Sequence, residues 1–229
     1  MRNDLDPKYY FEDMADGARQ IIDTLPINLL KENATVVIAV SDRGVYLADQ
    51  VAQALDISMD ILLTEPILAS NNPDVPIAMI SETEEVVIHK ALTDAFEIED
   101  DYIYTEAKRK YEDEILHYVQ KYRKGVSLLS LKGKYVVLVD ECIETGLTMM
   151  VALKSVIARE AKNIYIATPI LEHMVYENLQ SVSDGVFCAH KITDYISIEY
   201  YYKNFDSLKT EEIEAIVSKQ LNIKRNEER

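Results

Sequence analysis

An α/β fold, with a mostly parallel twisted sheet and helices on both faces, is what three observations predict. Short β-branched runs recur along the chain, amphipathic stretches alternate with them, and two of the strand-to-helix joints are tight turns that carry glycine. Phe11 to Leu25 reads as an N-terminal helix stopped by Pro26. Thr35 to Val40 (TVVIAV) reads as the first core strand. The turn Ser41-Asp42-Arg43-Gly44 then leads to a helix whose stripe is Val45, Ala48, Val51, Ala52 and Leu55. Met59 to Thr64 predicts a second core strand, cut off by Pro66. Asn72-Pro73-Asp74 reads as a turn, and Pro76 to Ile80 and Val86 to His89 as the strands of a hairpin or flap. Tyr102 to Lys124 predicts one long helix with Ala107, Tyr111, Ile115, Tyr118, Val119 and Tyr122 near one side. Val136 to Val139 predicts a buried strand, and Ala152, Val156 and Ile157 repeat at helical spacing after it, with Leu153 alongside. Asn163 to Thr168 and Val186 to Ala189 follow as core strands, and Lys209 to Leu221 as a terminal helix. No repeat or low-complexity linker interrupts the chain. The expectation is one domain over 1–229, with about 71–125 as a hood or helical insertion and 222–229 as a frayed tail.

Composition narrows the function. The chain has 229 residues, enough for one large α/β domain, and its 48% apolar content excludes a disordered polymer. A net charge of −16 leaves no broad basic face, which argues against nucleic acid as a partner. It also means that an anionic ligand must be drawn in by local cations rather than by the field of the whole protein. No stretch approaches membrane-spanning length, and the N-terminus lacks a signal-peptide core. Cys142 and Cys188 are too few for a disulfide framework and form no metal-spaced cluster. A cytoplasmic, reducing setting is expected. The four histidines are scattered and suggest no chemistry.

The most informative stretch is Tyr135 to Met149, YVVLVDECIETGLTM. A strand that feeds a helix through a tight turn aims several backbone N–H groups at one point, where the helix dipole favours an anion. Asp140 and Glu141 stand just before that turn. Two carboxylates cannot bind phosphate, but they accept hydrogen bonds from sugar hydroxyls or hold a hydrated Mg²⁺. Together these features read as a ribose-5-phosphate site. Strand, acid, turn and helix also occur in many α/β proteins without that role, and neither a Walker loop nor a dinucleotide fingerprint is present.

The segment closely resembles the phosphoribosyl-pyrophosphate (PRPP) signature of type I phosphoribosyltransferases: an apolar strand, an acidic pair and a loop ending in Thr-Gly-x-Thr. The similarity to an uncharacterised bacterial group of that family extends from about Tyr9 to about Leu221. It implies a phosphoribosyltransferase fold in which Asp140 and Glu141 hold the ribose hydroxyls and help to position Mg²⁺. The loop Ile143, Glu144, Thr145, Gly146, Leu147 and Thr148 would hold the 5′-phosphate. Arg43-Gly44 matches the family's pyrophosphate loop, where a cation offsets the charge of the leaving group. The implied reaction moves ribose-5-phosphate from PRPP to a nucleobase and releases pyrophosphate, with catalytic roles for Glu144, Asp140 and Glu141. A homodimer is implied as well.

Several residues depart from the family pattern. The bacterial group reads Arg-Gly-Gly where this chain has Asp42-Arg43-Gly44, and Asp42 either repels the leaving group or caps the next helix. Ala78 replaces a glycine in the Asn72–Met79 segment, and Leu147 replaces a frequent glycine in the phosphate loop. Glu144 resembles the acid by which 6-oxopurine enzymes meet the purine N7, although theirs is normally Asp. A solvent-facing side chain in a tight turn is the alternative. The lysine those enzymes place after the next strand is absent from Ala167-Thr168-Pro169-Ile170; Lys191 substitutes only if the chain runs back over the site. Lys108, Arg109 and Lys110 either reach pyrophosphate from a closing hood or pair along their helix, as Lys108–Glu112 and Lys110–Glu114. Tyr200 to Tyr202 are candidates for stacking on a base, or for a core or dimer interface. These departures leave a PRPP- or nucleotide-sensing regulator as the alternative to an enzyme, with a phosphohydrolase using Glu144 as a weaker third reading.

Overall fold

The structure, a computed structural model, describes residues 9–227, with side chains described to Gln220. Its centre is a five-stranded parallel sheet in the order β2-β1-β6-β7-β8. The strands are β1 (Thr35–Ala39), β2 (Met59–Ile61), β6 (Tyr135–Val139), β7 (Asn163–Glu172) and β8 (Gly185–Ile192). A three-stranded antiparallel sheet is built from β3 (Thr64–Ala69), β4 (Asn72–Ser81) and β5 (Val86–Ile88). The mostly parallel α/β architecture expected from the sequence is therefore present.

The central strands are apolar at nearly every position because both faces are covered. Val37, Ala39, Val137, Val139, Tyr165 and Ala167 pack with α1 (Met14–Thr24), α3 (Val45–Leu55) and α10 (Thr210–Glu227). The alternate residues Val36, Ile38, Val136, Leu138, Ile164 and Ile166 pack with α7 (Leu147–Ala158) and α8 (His173–Val182). The period of two along each strand sorts its side chains between these two cores.

Several elements depart from the sequence reading. The first helix starts at Met14, and Phe11 instead bridges to Tyr202. Pro26 ends it as expected, but a short α2 (Ile27–Lys31) follows at once. Pro66 does not end a strand; it lies inside β3, an edge strand, where a missing N–H is tolerated. The turn is at Ser70-Asn71, so Asn72-Pro73-Asp74 opens β4. Helices α4 (Lys90–Ala95) and α8 carry no strong sequence signal, each burying a single residue. The long helix is interrupted: α5 (Asp100–Lys110) passes through a wide π-turn at Tyr111–Ile115 into α6 (Leu116–Arg123). The wide turn keeps Ala107, Ile115 and Tyr122 all in the core. A one-turn α9 (Ile198–Tyr201) follows β8. The terminal helix extends to Glu227; of the expected tail, 228–229 lie outside the described residues. No described helix is long and apolar enough to cross a membrane.

A buried ion network ties the interrupted helix to both sheets. Arg123 is wholly buried and its guanidinium meets the Glu82 carboxylate, with Asp60 Oδ1 3.9 Å away. Glu82 also accepts the Leu63 N–H at 2.9 Å, while Asp60 accepts the N–H groups of Ile61 and Leu129, both at 2.9 Å. Burial still pushes the Glu82 carboxyl above the usual range, against the pull of Arg123. Breaking such a pair costs far more than its net worth, because it strands a buried charge. Arg123→Met should therefore lower the unfolding free energy in urea by about 3–5 kcal/mol, and adding Glu82→Gln should recover most of that loss. Equal losses in the single and double variants would show that the network is not coupled.

Candidate functional site

Strands β1 and β6 are parallel neighbours, so the turns leaving their carboxyl ends lie side by side. Ser41 joins them. Its Oγ is 2.5 Å from Asp140 Oδ1 and 3.2 Å from Glu141 Oε2, and it accepts the Gly44 N–H at 2.9 Å. One hydroxyl has one proton, so it serves one carboxylate at a time. Gly44 sits against the start of the second turn: a Cβ there would lie 3.0 Å from the Val139 carbonyl oxygen and 3.2 Å from Asp140 Cα. Only glycine allows this approach without moving backbone. Asp42 does not cap α3. Its Oδ1 accepts the neighbouring Arg43 N–H at 2.8 Å, and the helix begins after Gly44 with no side-chain cap.

Asp140 and Glu141 are each more than nine-tenths buried. Burial first, and then repulsion by Glu141, hold the Asp140 carboxyl well above the usual carboxylate range; the Ser41 hydroxyl pulls the other way. Cys142 follows them as a packed thiol, pushed up by burial and bonded to the Tyr195 hydroxyl. This agrees with a packing role rather than a nucleophilic one.

The next residues form a cradle. Ile143 is locked as an extra bridge on β7: its N–H donates to the Ile170 carbonyl (2.9 Å) and its own carbonyl accepts the Glu172 N–H (3.0 Å). That N–H is therefore not free for a phosphate, and Ile143 serves as the hinge of the turn. Glu144 and Thr145 are exposed. Gly146 has φ +74°, and a Cβ there would come 2.6 Å from Val175 Cγ1, so glycine is required twice over. Leu147 opens α7, whose first N–H groups have no intrahelical acceptors and point towards the turn.

The two turns meet at one cleft of roughly 490 Å³, which Ser41 to Arg43 and Asp140 to Thr148 border. Asp42, Arg43, Asp140, Glu141 and Ile143 to Thr148 line it from the central sheet, Pro66, Pro76 and Met79 from the three-stranded sheet, and Tyr195 from the C-terminal segment. Four of the lining residues carry carboxyl groups (Asp42, Asp140, Glu141 and Glu144) and one, Arg43, carries a guanidinium. Such an excess of negative charge suits a hydrated divalent cation brought with an anionic ligand. Mg²⁺ keeps most of its water and needs only one or two protein carboxylates. Among the described residues, no group of three His, Cys, Asp or Glu could hold a metal ion.

Other sequence candidates are placed elsewhere. Lys191 lies over the Tyr176 ring, 3.1 Å from its centroid, and does not line the cleft. Lys108 pairs with Glu112 (3.9 Å), Arg109 with Glu106 (2.8 Å) and Lys110 with Glu114 (2.7 Å), so all three are engaged along their helix. Tyr201 and Tyr202 are buried with Phe11 in an aromatic cluster, and Tyr200 packs edge-on to Tyr201. The tyrosine that reaches the cleft is Tyr195. Sequence reasoning missed its particular place, as it missed Ser41 and Met79, because nothing local links those positions to residue 140.

A raised Asp140 pKa has a direct consequence for stability. The folded state keeps a proton that the unfolded chain releases near its ordinary value of 3.8, so this group's contribution falls as pH rises from there through the folded value. Asp140→Asn removes the repulsion while keeping an acceptor for Ser41. It should raise the unfolding free energy at pH 7 and flatten its pH dependence above the ordinary carboxylate range, as read from urea titrations across pH. A variant less stable than the parent at pH 7 would contradict this account.

Three comparisons bear on this geometry. A family model described as "Phosphoribosyl transferase domain" matches residues 8–204. Proteins from two Mycobacterium tuberculosis strains, CDC 1551 / Oshkosh and H37Rv, carry the provisional name phosphoribosyl transferase. Each is 24% identical over 209 residues, 91% of this chain and 46% of the relative. The chain thus spans about half the length of the curated relatives it matches. The crystal structure of a Thermus thermophilus protein superimposes with a TM-score of 0.75 at 26% identity, covering 92% of this chain and 98% of that one.

Proposed function

The chain belongs to the phosphoribosyl transferase family, and from that premise we propose that it transfers ribose-5-phosphate from PRPP to a nucleobase, releasing pyrophosphate. The observation that carries the reading is the meeting, in one cleft, of a buried acid pair, a glycine-turned helix start and an arginine. Each of the three matches a different part of PRPP. Asp140 and Glu141 accept hydrogen bonds from the 2′- and 3′-hydroxyls, exchanging mutual repulsion for donors. The backbone N–H groups from Glu144 to Thr148, with the Thr145 and Thr148 hydroxyls, hold the 5′-phosphate at the positive end of α7. Arg43 and the close-set Gly44 face the pyrophosphate, whose charge grows as it departs. When bound, Mg²⁺ would neutralise that charge; Asp140 and Glu141 are the residues that would hold its water shell.

Ribosyl transfer develops oxocarbenium character at the anomeric carbon, so the protein works by position and charge, without a covalent nucleophile. Glu144 is exposed at the cleft and engages the acceptor as orienter or proton acceptor, which favours a 6-oxopurine. Tyr195 offers its ring to the base. Residues 71–125 act as the hood over the reacting centre within a single domain. The partners on this reading are PRPP and a nucleobase in the cytoplasm, and the working form is a homodimer. The excess of carboxylates, Asp42 among them, also supports a regulator that binds PRPP without turnover.

Pyrophosphate release with PRPP and Mg²⁺ separates these readings, across guanine, hypoxanthine, xanthine, adenine, uracil, orotate and nicotinate. Base-dependent release is expected, with a 6-oxopurine preferred and with Glu144→Gln lowering kcat by about 10²-fold. Calorimetric binding of PRPP without release would favour the regulator. No binding by folded protein would overturn the site.

A further inference from the structure

The three-stranded sheet is fastened to α7 along its length. Leu147 and Val151 of α7 pack against Met79, with Val87 at the margin. Ser155 Oγ is 2.7 Å from Ser81 Oγ, and both residues are fully buried. Lys154 Nζ reaches the Val86 carbonyl oxygen and Glu85 Oε2, each at 3.1 Å. At the same hairpin, Glu82 meets buried Arg123. The wall that borders the cleft is therefore held at four successive places.

Met79 stands at the junction. It is 6% exposed, pairs across the sheet with Pro66, lines the cleft, and rests on Leu147, the residue that opens α7 directly after Gly146. A leucine at position 147 thus has a structural use that glycine would lack: it connects the phosphate turn to the opposite wall.

Resting on the transferase reading above, we infer that Met79 is a specificity-determining residue, an apolar contact for the acceptor's ring held in place by Leu147. Met79, Pro66 and Pro76 are the apolar side chains that the three-stranded sheet contributes to the cleft lining, beside Thr64, and Tyr195 bounds the same cleft from another element. Such a surface suits a flat heteroaromatic acceptor and offers little to an aliphatic amine. The sulfur and flexible chain of methionine follow the face of a ring closely. Because Leu147 belongs to the phosphate turn and touches Met79, the sugar-phosphate side and the acceptor side form one packed unit.

The test compares wild type, Met79→Ala, Met79→Leu and Ser155→Ala, each checked for folding by its melting curve. PRPP binding is measured calorimetrically without acceptor, and pyrophosphate release is measured across the seven bases. Met79→Ala should raise KM for the preferred base by about tenfold and blunt its selectivity, with a smaller loss of PRPP affinity because Leu147 loses its support. Met79→Leu, close in volume, should restore KM to within about twofold of wild type. Ser155 lies outside the cleft lining, and Ser155→Ala should move KM in the same direction by a smaller factor, with kcat little changed. An unchanged base profile in a folded Met79→Ala variant that binds PRPP would overturn the inference and leave the transferase reading intact. Wild type that binds PRPP but releases pyrophosphate with no base also overturns it. Failure of wild type to bind PRPP would remove both.

Discussion

Two carboxylates held side by side away from water are the constraint around which the site is organised. Asp140 and Glu141 repel each other and are both buried, so the folded protein carries a cost at this point. The arrangement persists because the surrounding frame is over-determined. Asp140 follows β6, whose residues lie in both cores, and Ile143 is bonded to β7 through both its N–H and its carbonyl. Ser41 bridges across from the neighbouring turn to share a proton with the pair. Strain of this kind is stable only where packing supplies more than it removes.

From that constraint the roles of the neighbouring parts follow. The parallel register of β1 with β6 fixes the distance between the Ser41–Gly44 turn and the acid pair, and Gly44 lets the two backbones touch. The helix α7 is apolar on two sides because it is sandwiched. Met149, Ala152, Leu153 and Val156 face the central sheet, and Leu147 and Val151 face Met79 of the smaller one. A helix packed on both sides cannot shift easily, so its N-terminus is a fixed donor of hydrogen bonds rather than a mobile one. Arg123, with Glu82 and Asp60, holds the other end of the smaller sheet.

Much of this was legible from residue order. The apolar runs of β1, β6, β7 and β8 stood out because a strand covered on both faces has no polar alternation to confuse. The local structure of Asp140 to Thr148 was legible because it is contiguous: acids, turn and helix start all lie within nine residues. The pairs Lys108–Glu112 and Lys110–Glu114 were readable from helical spacing, and both formed. Elements with weaker local signals were harder. Pro66 looked like a strand terminator because a proline cannot donate, yet an edge strand needs no donor on its outer side.

Residue order by itself determined the alternation of strands and helices, the Gly146 turn into α7 and the adjacency of the acid pair, because each depends on neighbours within a few positions. Tertiary structure alone decided which distant groups joined them. Ser41 lies 99 positions from Asp140, Met79 lies far before Leu147 in the chain, and Tyr195 reaches the cleft while Tyr201 and Tyr202 turn into the core with Phe11. Those meetings follow from sheet order and helix packing, which bring remote segments together through burial of apolar surface. Local periodicity carries no record of them.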